Sequence, residues 1–211
     1  MDISNQSAAV DIELPDIPER GPRARTYRLM METASRLMQE GEVPSVTAVA
    51  EAAQVSRATA YRYFPTQAAL VTAVVDEALG PILDWRSDET DVEARVADLF
   101  ETALPRIAAY EATFRAALRL SLDSAADADG AVGRFRRGHR VELLGSALAP
   151  LRAELGDEVC DRLARALSLV FGVEAFVVLK DIWGGGDGQV KETALWVARS
   201  LIARAREEAG T

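Results

Sequence analysis

The stretch of the sequence that most constrains the fold is VTAVAEAAQVSRATAYRYF, residues 46–64. It predicts two short helices joined by a turn of three to four residues, with small side chains where the helices cross. Ala50 and Ala53 would let the two helices approach each other closely, and Val55 in the turn would fix the angle between them. This pattern is typical of a helix-turn-helix.

Capping residues set the predicted bounds of the first helices. Ser45, Ser56 and Thr66 each stand where an N-cap is needed, because a short hydroxyl side chain can accept a hydrogen bond from the backbone of the first turn. A longer helix is predicted over residues 23–40, with Gly41 as its C-terminal cap. The helix after Thr66 is predicted to end at Gly80-Pro81.

The rest of the chain shows helical spacing of apolar residues and no sustained alternation typical of strands. The candidate helices are 91–104, 105–121 (with Pro105 at its start), 131–149, 157–183 and 187–207, with a polar loop over 122–133. We therefore expect an all-α fold. A flexible acidic tail over 1–22 would precede a three-helix helix-turn-helix domain over 23–80 and a larger helical domain over 81–211.

Charge is distributed unevenly along the chain. The formal net charge is −9 and the pI about 4.8, which is not typical of a DNA-binding protein taken as a whole. Residues 20–65, however, hold seven arginines and no lysine against four acidic residues. Arginine suits bidentate contacts with phosphate or guanine, although a solvated face is the alternative explanation for so small an excess.

Several classes of protein are disfavoured. Cys160 is the single cysteine, so neither a disulfide framework nor a cysteine metal site is expected, and the lone His139 lies in no catalytic motif. Residues 184–186 are glycines without the Gly-Lys-Ser/Thr continuation of a phosphate loop. The apolar run 167–179 is too short to span a bilayer, and the N-terminus does not resemble a signal peptide. We expect a cytoplasmic protein that is not an enzyme, has no catalytic residues, needs no cofactor or metal, and has no membrane partner.

Residues 46–70, VTAVAEAAQVSRATAYRYFPTQAAL, resemble the DNA-binding signature of the TetR/AcrR family of transcriptional regulators. The resemblance covers about residues 25–80. It depends on the order and spacing of Val55-Ser56, Thr59, Tyr61, Tyr63-Phe64-Pro65 and Ala69-Leu70. The sequence departs from the family pattern at Gln67, where a lysine is usual, and at Ala58 and Ala60, where Gly and Leu are commoner.

The resemblance implies a set of DNA-contacting residues, and phosphate contacts would fix the register while base contacts specify the sequence. Thr47 would contact a phosphate, Arg57 and Thr59 would face base edges, and Tyr61 would contact a phosphate or a thymine methyl group. Backbone phosphates would be held by Arg62, Tyr63 and Gln67. The full expected set is Thr47, Ser56, Arg57, Thr59, Tyr61, Arg62, Tyr63 and Gln67. Core packing is the alternative for Tyr63 and is our interpretation of Phe64.

The resemblance also implies a homodimer. The last two predicted helices would pair with their copies across a two-fold axis, which places two recognition helices on an inverted-repeat operator in double-stranded DNA. The apolar stripe over 190–202 agrees with this, although both helices would also suit the core of a monomer. Repression is the family's usual mode.

A pocket for a small apolar or cationic effector that releases the DNA is the last implication of the resemblance. Its candidate lining residues are Phe100, Leu104, Tyr110, Phe114, His139, Phe171 and Glu174. A buried carboxylate at Glu174 needs a partner, which could be a cationic ligand, a basic residue of the same chain, or the dimer mate. The alternative to the whole functional interpretation is a helical protein-interaction module that binds neither specific DNA nor a ligand.

Overall fold

The computed structural model of the chain describes residues 20–126 and 139–209. Within these ranges every regular element is helical, so the prediction of an all-α fold is confirmed. The helices are α1 (Pro22–Gln39), α2 (Val46–Ala52), α3 (Arg57–Tyr63), α4 (Gln67–Leu79), α5 (Val92–Ala109), α6 (Glu111–Ala126), α7 (His139–Leu148), α8 (Arg152–Leu155), α9 (Asp157–Leu167), α10 (Val173–Phe176) and α11 (Asp187–Ala209). Short 3₁₀ turns occupy Gly80–Ile82 and Ala149–Leu151, and Val177–Ile182 is wound as a π-helix. Residues 1–19 of the expected acidic tail lie outside the described residues.

The chain forms two compact units. The first lies within Met1–Glu77 and Ala112–Arg136, and the second within Ala78–Glu111 and Arg137–Thr211. The first unit therefore includes most of α6, which the predicted boundary at residue 80 assigns to the C-terminal domain.

The predicted N-caps organise the first unit. Ser45 Oγ accepts a hydrogen bond from Ala48 N at 3.1 Å, and Ser56 Oγ accepts one from Thr59 N at 3.2 Å. Thr66 Oγ1 accepts from Ala69 N at 3.0 Å. These bonds satisfy backbone donors that have no partner inside a helix, so the three predicted caps are confirmed.

The cores of both units are built from the apolar faces of the helices. In the first unit the most deeply buried side chains include Met30, Met38, Val49, Phe64 and Leu70. In the second unit α11 packs against α5 and α9, and α7 packs against the same two helices. Side chains fully buried there include Leu99, Phe100, Leu104, Leu144, Leu148 and Phe176.

The predicted helix break at Pro105 is wrong. Pro105 lies inside α5, which continues to Ala109, and the break falls at Tyr110 instead. An interior proline normally destabilises a helix because it removes a backbone donor and crowds the preceding turn. Here Leu104 and Ile107 are buried on either side of the exposed proline, so packing of the continuous apolar face outweighs the local cost.

The predicted single helix over 157–183 is also wrong. It is divided into α9, α10 and the π-helix, with the break over residues 168–172. Gly172 at the break has φ +148°, a conformation that other residues rarely adopt. A further difference is that α6 extends to Ala126, into the segment predicted as a loop.

The described ranges contain neither a candidate membrane span nor a cluster of candidate metal ligands. None of their helices combines the length and apolar character that crossing a membrane requires. No group of three or more His, Cys, Asp or Glu residues in those ranges is arranged to hold a metal ion.

Candidate nucleic-acid interface

The crossing of α2 and α3 has the geometry that the small residues predict. Ala50 and Ala53, the small residues predicted at the crossing, are both buried, and Ala60 on α3 is buried as well. The turn between them bends at Gln54, whose φ of +55° lies in the left-handed region. Val55 N donates to Ala50 O at 2.8 Å, and the Val55 side chain is half-buried in the turn.

One surface of α3 presents large polar side chains to solvent. Arg57, Tyr61 and Arg62 are exposed, and Thr59 is half-buried beside them. Tyr61 on this seven-residue helix is 47% exposed. Its hydroxyl lies 3.3 Å from Thr47 Oγ1 on α2, so the structure brings these two predicted DNA contacts together.

Ser56 and Thr59 are linked at the start of α3. The Ser56 hydroxyl donates to Thr59 Oγ1 at 2.9 Å while also accepting from the Thr59 backbone. Ser56 is therefore primarily the N-cap of the recognition helix, and it orients the Thr59 side chain.

Arg57 has a partner that the sequence interpretation missed. Its Nη2 lies 2.6 Å from Glu51 Oε1 on α2, and both side chains are largely exposed. The available signal was Glu51 itself, the single acidic residue within residues 46–64. Opposite charges six residues apart across a helix-turn-helix turn are not a helical i,i+4 pair, so helix rules did not identify the contact.

Tyr63 lies in the core of the first unit. It is 2% exposed, and its hydroxyl donates to Arg23 O at 3.1 Å. Its ring and the completely buried ring of Phe64 both pack on Tyr27, with centroid distances of 6.1 Å and 5.4 Å. Phe64 is thus a core residue as predicted, and the Tyr63 hydroxyl is already used within the protein.

Burial in this aromatic cluster also changes the pKa of Tyr27. Desolvation raises the pKa of its hydroxyl above the ordinary 10.0, and the negative charges of Glu77 and Asp76 raise it further. Tyr27 therefore remains neutral and packs against the end of the recognition helix through neutral pH.

Gln67 is also engaged within the protein. Its Nε2 donates to Val43 O at 3.1 Å and to Pro44 O at 3.2 Å, which ties the start of α4 to the segment before α2. Both amide hydrogens are thus committed to the backbone, and none is directed to a phosphate in this structure.

A second missed residue is Arg119 on α6. Its Nη2 donates to Gly41 O at 2.7 Å, at the C-terminal end of α1. Gly41 has φ +86° and provides the predicted cap, so Arg119 supports the start of the connection that leads into α2.

The candidate ligand-pocket residues are divided between the two units. Phe114 belongs to the first, and the other six belong to the second. Phe100, Leu104 and Phe171 are buried, and the rings of Phe100 and Phe171 are 5.0 Å apart. The Arg106 guanidinium lies over the Tyr110 ring, with its Cζ 5.0 Å from the ring centroid.

Glu174 is paired within the chain. Its Oε2 lies 2.6 Å from Arg140 Nη2, and Arg140 Nη1 also donates to Ser168 O at 2.9 Å. Of the three partners considered for this carboxylate, the structure provides a basic residue of the same chain.

His139 lines a cavity of about 270 Å³ in the second unit. The other lining residues are Leu83, Trp85, Arg86, Glu142, Leu143 and Ser146. Polar and charged groups therefore line much of this cavity. The other six candidates of the predicted ligand pocket do not line it.

Cys160 is an internal side chain of the second unit. It is fully buried, and desolvation raises the pKa of its thiol above 9.0. A thiol of this kind is a packing group, because the reactive thiolate is disfavoured.

Fold and site together define a class: an all-α protein with a helix-turn-helix whose second helix presents arginine and tyrosine side chains to solvent. Residues 31–74 match the family described as "Bacterial regulatory proteins, tetR family". The chain is similar in structure to a TetR transcriptional regulator from Rhodococcus sp. RHA1, with a TM-score of 0.55, 21% sequence identity, and coverage of 86% of this chain and 97% of that chain. No curated protein matches the chain. Residues 31–74 are therefore a DNA-binding segment of the TetR type, and the chain as a whole shares its fold with a TetR transcriptional regulator.

Proposed function

We propose that the protein is a repressor that binds an inverted-repeat operator as a homodimer and is released by a small-molecule ligand. The observation that carries the proposal is the exposed surface of α3 with Arg57, Tyr61 and Arg62. Tyr61 lies between these two arginines in the sequence and presents its hydroxyl at the protein surface, which suits contacts with phosphates and base edges.

The proposed DNA contacts are narrower than the set expected from the sequence. Thr47, Arg57, Thr59, Tyr61 and Arg62 face solvent at least in part. Ser56 acts as a cap, and we assign Tyr63 and Gln67 to support of the helix-turn-helix, since their polar groups are bonded within the protein.

Exposed apolar side chains support the proposed dimer. Trp183 is 77% exposed and Ile182 73% exposed at the end of the π-helix, and Trp196 on α11 is 68% exposed. Large apolar residues left in water at the last two helical segments suit an interface with a second copy. A dimer would place two recognition helices about 34–36 Å apart, which is one turn of B-DNA.

The proposed release by a ligand rests on a cavity in the second unit. The cavity beside His139 offers space for a small polar molecule, whereas the aromatic candidates Phe100 and Phe171 pack against each other. A ligand that prefers the form unable to bind DNA needs a coupling free energy of only about 1–3 kcal/mol to change occupancy.

The test is selection of sites from random duplex DNA by the purified protein at about 0.15 M salt, where non-specific binding is already weakened. We expect an inverted repeat, and its enrichment should be lost with Arg57→Ala and reduced with Tyr61→Phe. Arg36→Ala is the matched control, because it removes one exposed, ion-paired arginine from α1. A folded, dimeric protein that enriches no site, alone or after a ligand-stripping refolding step, would favour the protein-interaction module instead.

A further inference from the structure

Glu51 places a negative charge next to the proposed base-contacting arginine. Its Oε1 lies 2.6 Å from Arg57 Nη2, with 63% of the Glu51 side chain and 68% of the Arg57 side chain exposed. Glu51 belongs to α2, and Arg57 is the first residue of α3. A carboxylate on a surface that approaches DNA weakens binding to the phosphate backbone, so its position calls for a function.

We propose that Glu51 is a positioning residue that makes DNA binding more sequence-specific by biasing Arg57 away from phosphates and towards a base edge. The inference rests on the proposed function, since it presumes an operator. Its physical basis is that the two kinds of DNA contact respond differently to a neighbouring carboxylate.

A guanidinium can keep the carboxylate contact while it binds a base. It has five N–H donors, and the bond to Glu51 uses one of those on Nη2. The donors that remain are enough for the bidentate contact with guanine O6 and N7, whose acceptors carry no net charge.

A phosphate contact is different, because it brings a full negative charge beside the Glu51 carboxylate. Repulsion between these charges opposes the non-specific mode, in which arginines bind phosphates at any sequence. An exposed ion pair is weak, so Arg57 is biased and not locked.

Arg62 provides the contrast on the same helix. Its guanidinium lies over the Tyr63 ring, 5.7 Å from the ring centroid. The sequence of α3, RATAYRY, contains no acidic residue. Arg62 therefore suits the sequence-independent phosphate contacts that Arg57 is steered away from.

The experiment compares wild-type protein with Glu51→Gln, which removes the charge and keeps the size. Dissociation constants are measured for the selected operator and for random duplex of equal length, between about 0.05 and 0.3 M salt. We expect Glu51→Gln to bind random duplex about 3–10-fold more tightly, with a salt slope steeper by about 0.9 per protomer, because one more phosphate contact forms. The operator-to-random ratio should fall.

Glu40→Gln is the matched control. Glu40 forms an exposed ion pair with Arg36 at 2.9 Å on α1, so this variant makes the same change in charge outside the helix-turn-helix. We expect Glu40→Gln to change the affinity for random duplex less than Glu51→Gln does, and to leave the ratio of operator affinity to random-duplex affinity unchanged. If Glu40→Gln and Glu51→Gln behave alike, net charge explains the result and the inference is overturned.

A double-mutant cycle tests whether Glu51 acts through Arg57. In an Arg57→Ala background, Glu51→Gln should have no more effect than Glu40→Gln, and a full effect there would overturn the inference. The wild-type ratio of operator affinity to random-duplex affinity separates the two proposals. A ratio near one overturns the proposed function and this inference with it. A high ratio that Glu51→Gln leaves unchanged overturns the inference alone. Thermal melts of each variant confirm that the proteins compared are folded.

Discussion

At the scale of single residues, the helix-turn-helix shows how similar side chains take different roles. Tyr61 and Tyr63 are two residues apart on α3, yet Tyr61 is 47% exposed and Tyr63 is 2% exposed. Two helical positions differ by about 200°, so they lie on nearly opposite faces. The family resemblance implied a DNA contact for both, with core packing as the alternative for Tyr63, and burial places Tyr63 in the core.

Gln54 in the turn gives a prediction about stability. Its φ of +55° is costly for a residue with a Cβ and costs glycine almost nothing. Gln54→Gly should therefore raise the free energy of unfolding by about 0.5–1 kcal/mol, measured by urea denaturation. Gln39→Gly, at the helical end of α1, is the control and should give no gain. A loss of stability in Gln54→Gly would show that the turn is not strained.

Gly172 and Gly145 form a pair with opposite predicted effects. A Cβ on Gly172 would overlap the Arg140 guanidinium and lie 2.8 Å from Glu174 Oε2, and its φ is +148°. Gly172→Ala should destabilise the protein by about 1–3 kcal/mol through backbone strain and a disturbed ion pair.

Gly145 lies within α7, and a Cβ there would meet no atom within 4 Å. Gly145→Ala should therefore stabilise by about 0.5–1 kcal/mol, because alanine is the better helix former. Thermal unfolding of both variants measures the two changes in stability. Equal changes would contradict the claim that the backbone and the ion pair at Gly172 require a glycine.

At the scale of elements, helix boundaries follow tertiary packing wherever it opposes local signals. α5 passes through Pro105 because its buried face is continuous, whereas the single helix predicted over 157–183 is broken over residues 168–172. The π-helix Val177–Ile182 then leads to the start of α11. Lys180 lies in this π-helix and connects two other elements, since its Nζ lies 2.6 Å from Glu111 Oε2 and 2.8 Å from Asp187 Oδ1.

These contacts predict an alkaline limit to stability. Hydrogen bonds to Asp187 and Glu111 raise the pKa of Lys180 above the ordinary 10.5. The native state therefore keeps a proton that the unfolded chain loses, so this stabilisation is complete below pH 10.5 and disappears as pH rises through the folded-state pKa. The free energy of unfolding, measured by urea denaturation as pH is raised, should fall less steeply for Lys180→Met than for wild type.

Lys191→Met is the control, because it removes the same charge from the chain's other lysine. It should keep the wild-type alkaline decline. Tyr27, whose pKa burial raises, contributes to the decline in all three proteins and cancels in the comparison. Identical slopes for Lys180→Met and wild type would contradict the role given to Lys180.

At the scale of the whole molecule, the chain has two compact units. The first holds the helix-turn-helix, whose exposed arginines carry the proposed DNA contacts. The second leaves Ile182, Trp183 and Trp196 in water, which is unfavourable for a monomer. The proposed dimer would cover that surface and would present two recognition helices to two half-sites.

The dimer prediction is tested by replacing one exposed tryptophan. Trp196→Ser should raise the dimer dissociation constant by about tenfold or more, because truncating a buried interface tryptophan commonly costs about 2 kcal/mol. Sedimentation over a dilution series measures this. Leu169→Ser, at a residue 75% exposed between α9 and α10, is the control and should leave the dimer intact. A wild-type protein that is monomeric throughout the series would contradict the proposal.

Local sequence signals were enough to predict the all-α class, the three N-caps, the helix-turn-helix and the core position of Phe64. These depend on local properties, namely the helical period, hydroxyl caps and small residues at the crossing, which act over a few neighbouring residues. The cytoplasmic location and the ligand remain predictions. Three features are visible only in the folded protein: the internal hydrogen bonds of Tyr63 and Gln67, the pairing of Arg140 with Glu174, and the pairing of Glu51 with Arg57. Each of these depends on which distant groups come within about 3 Å of each other, and that is set by packing of the whole unit and not by residue type.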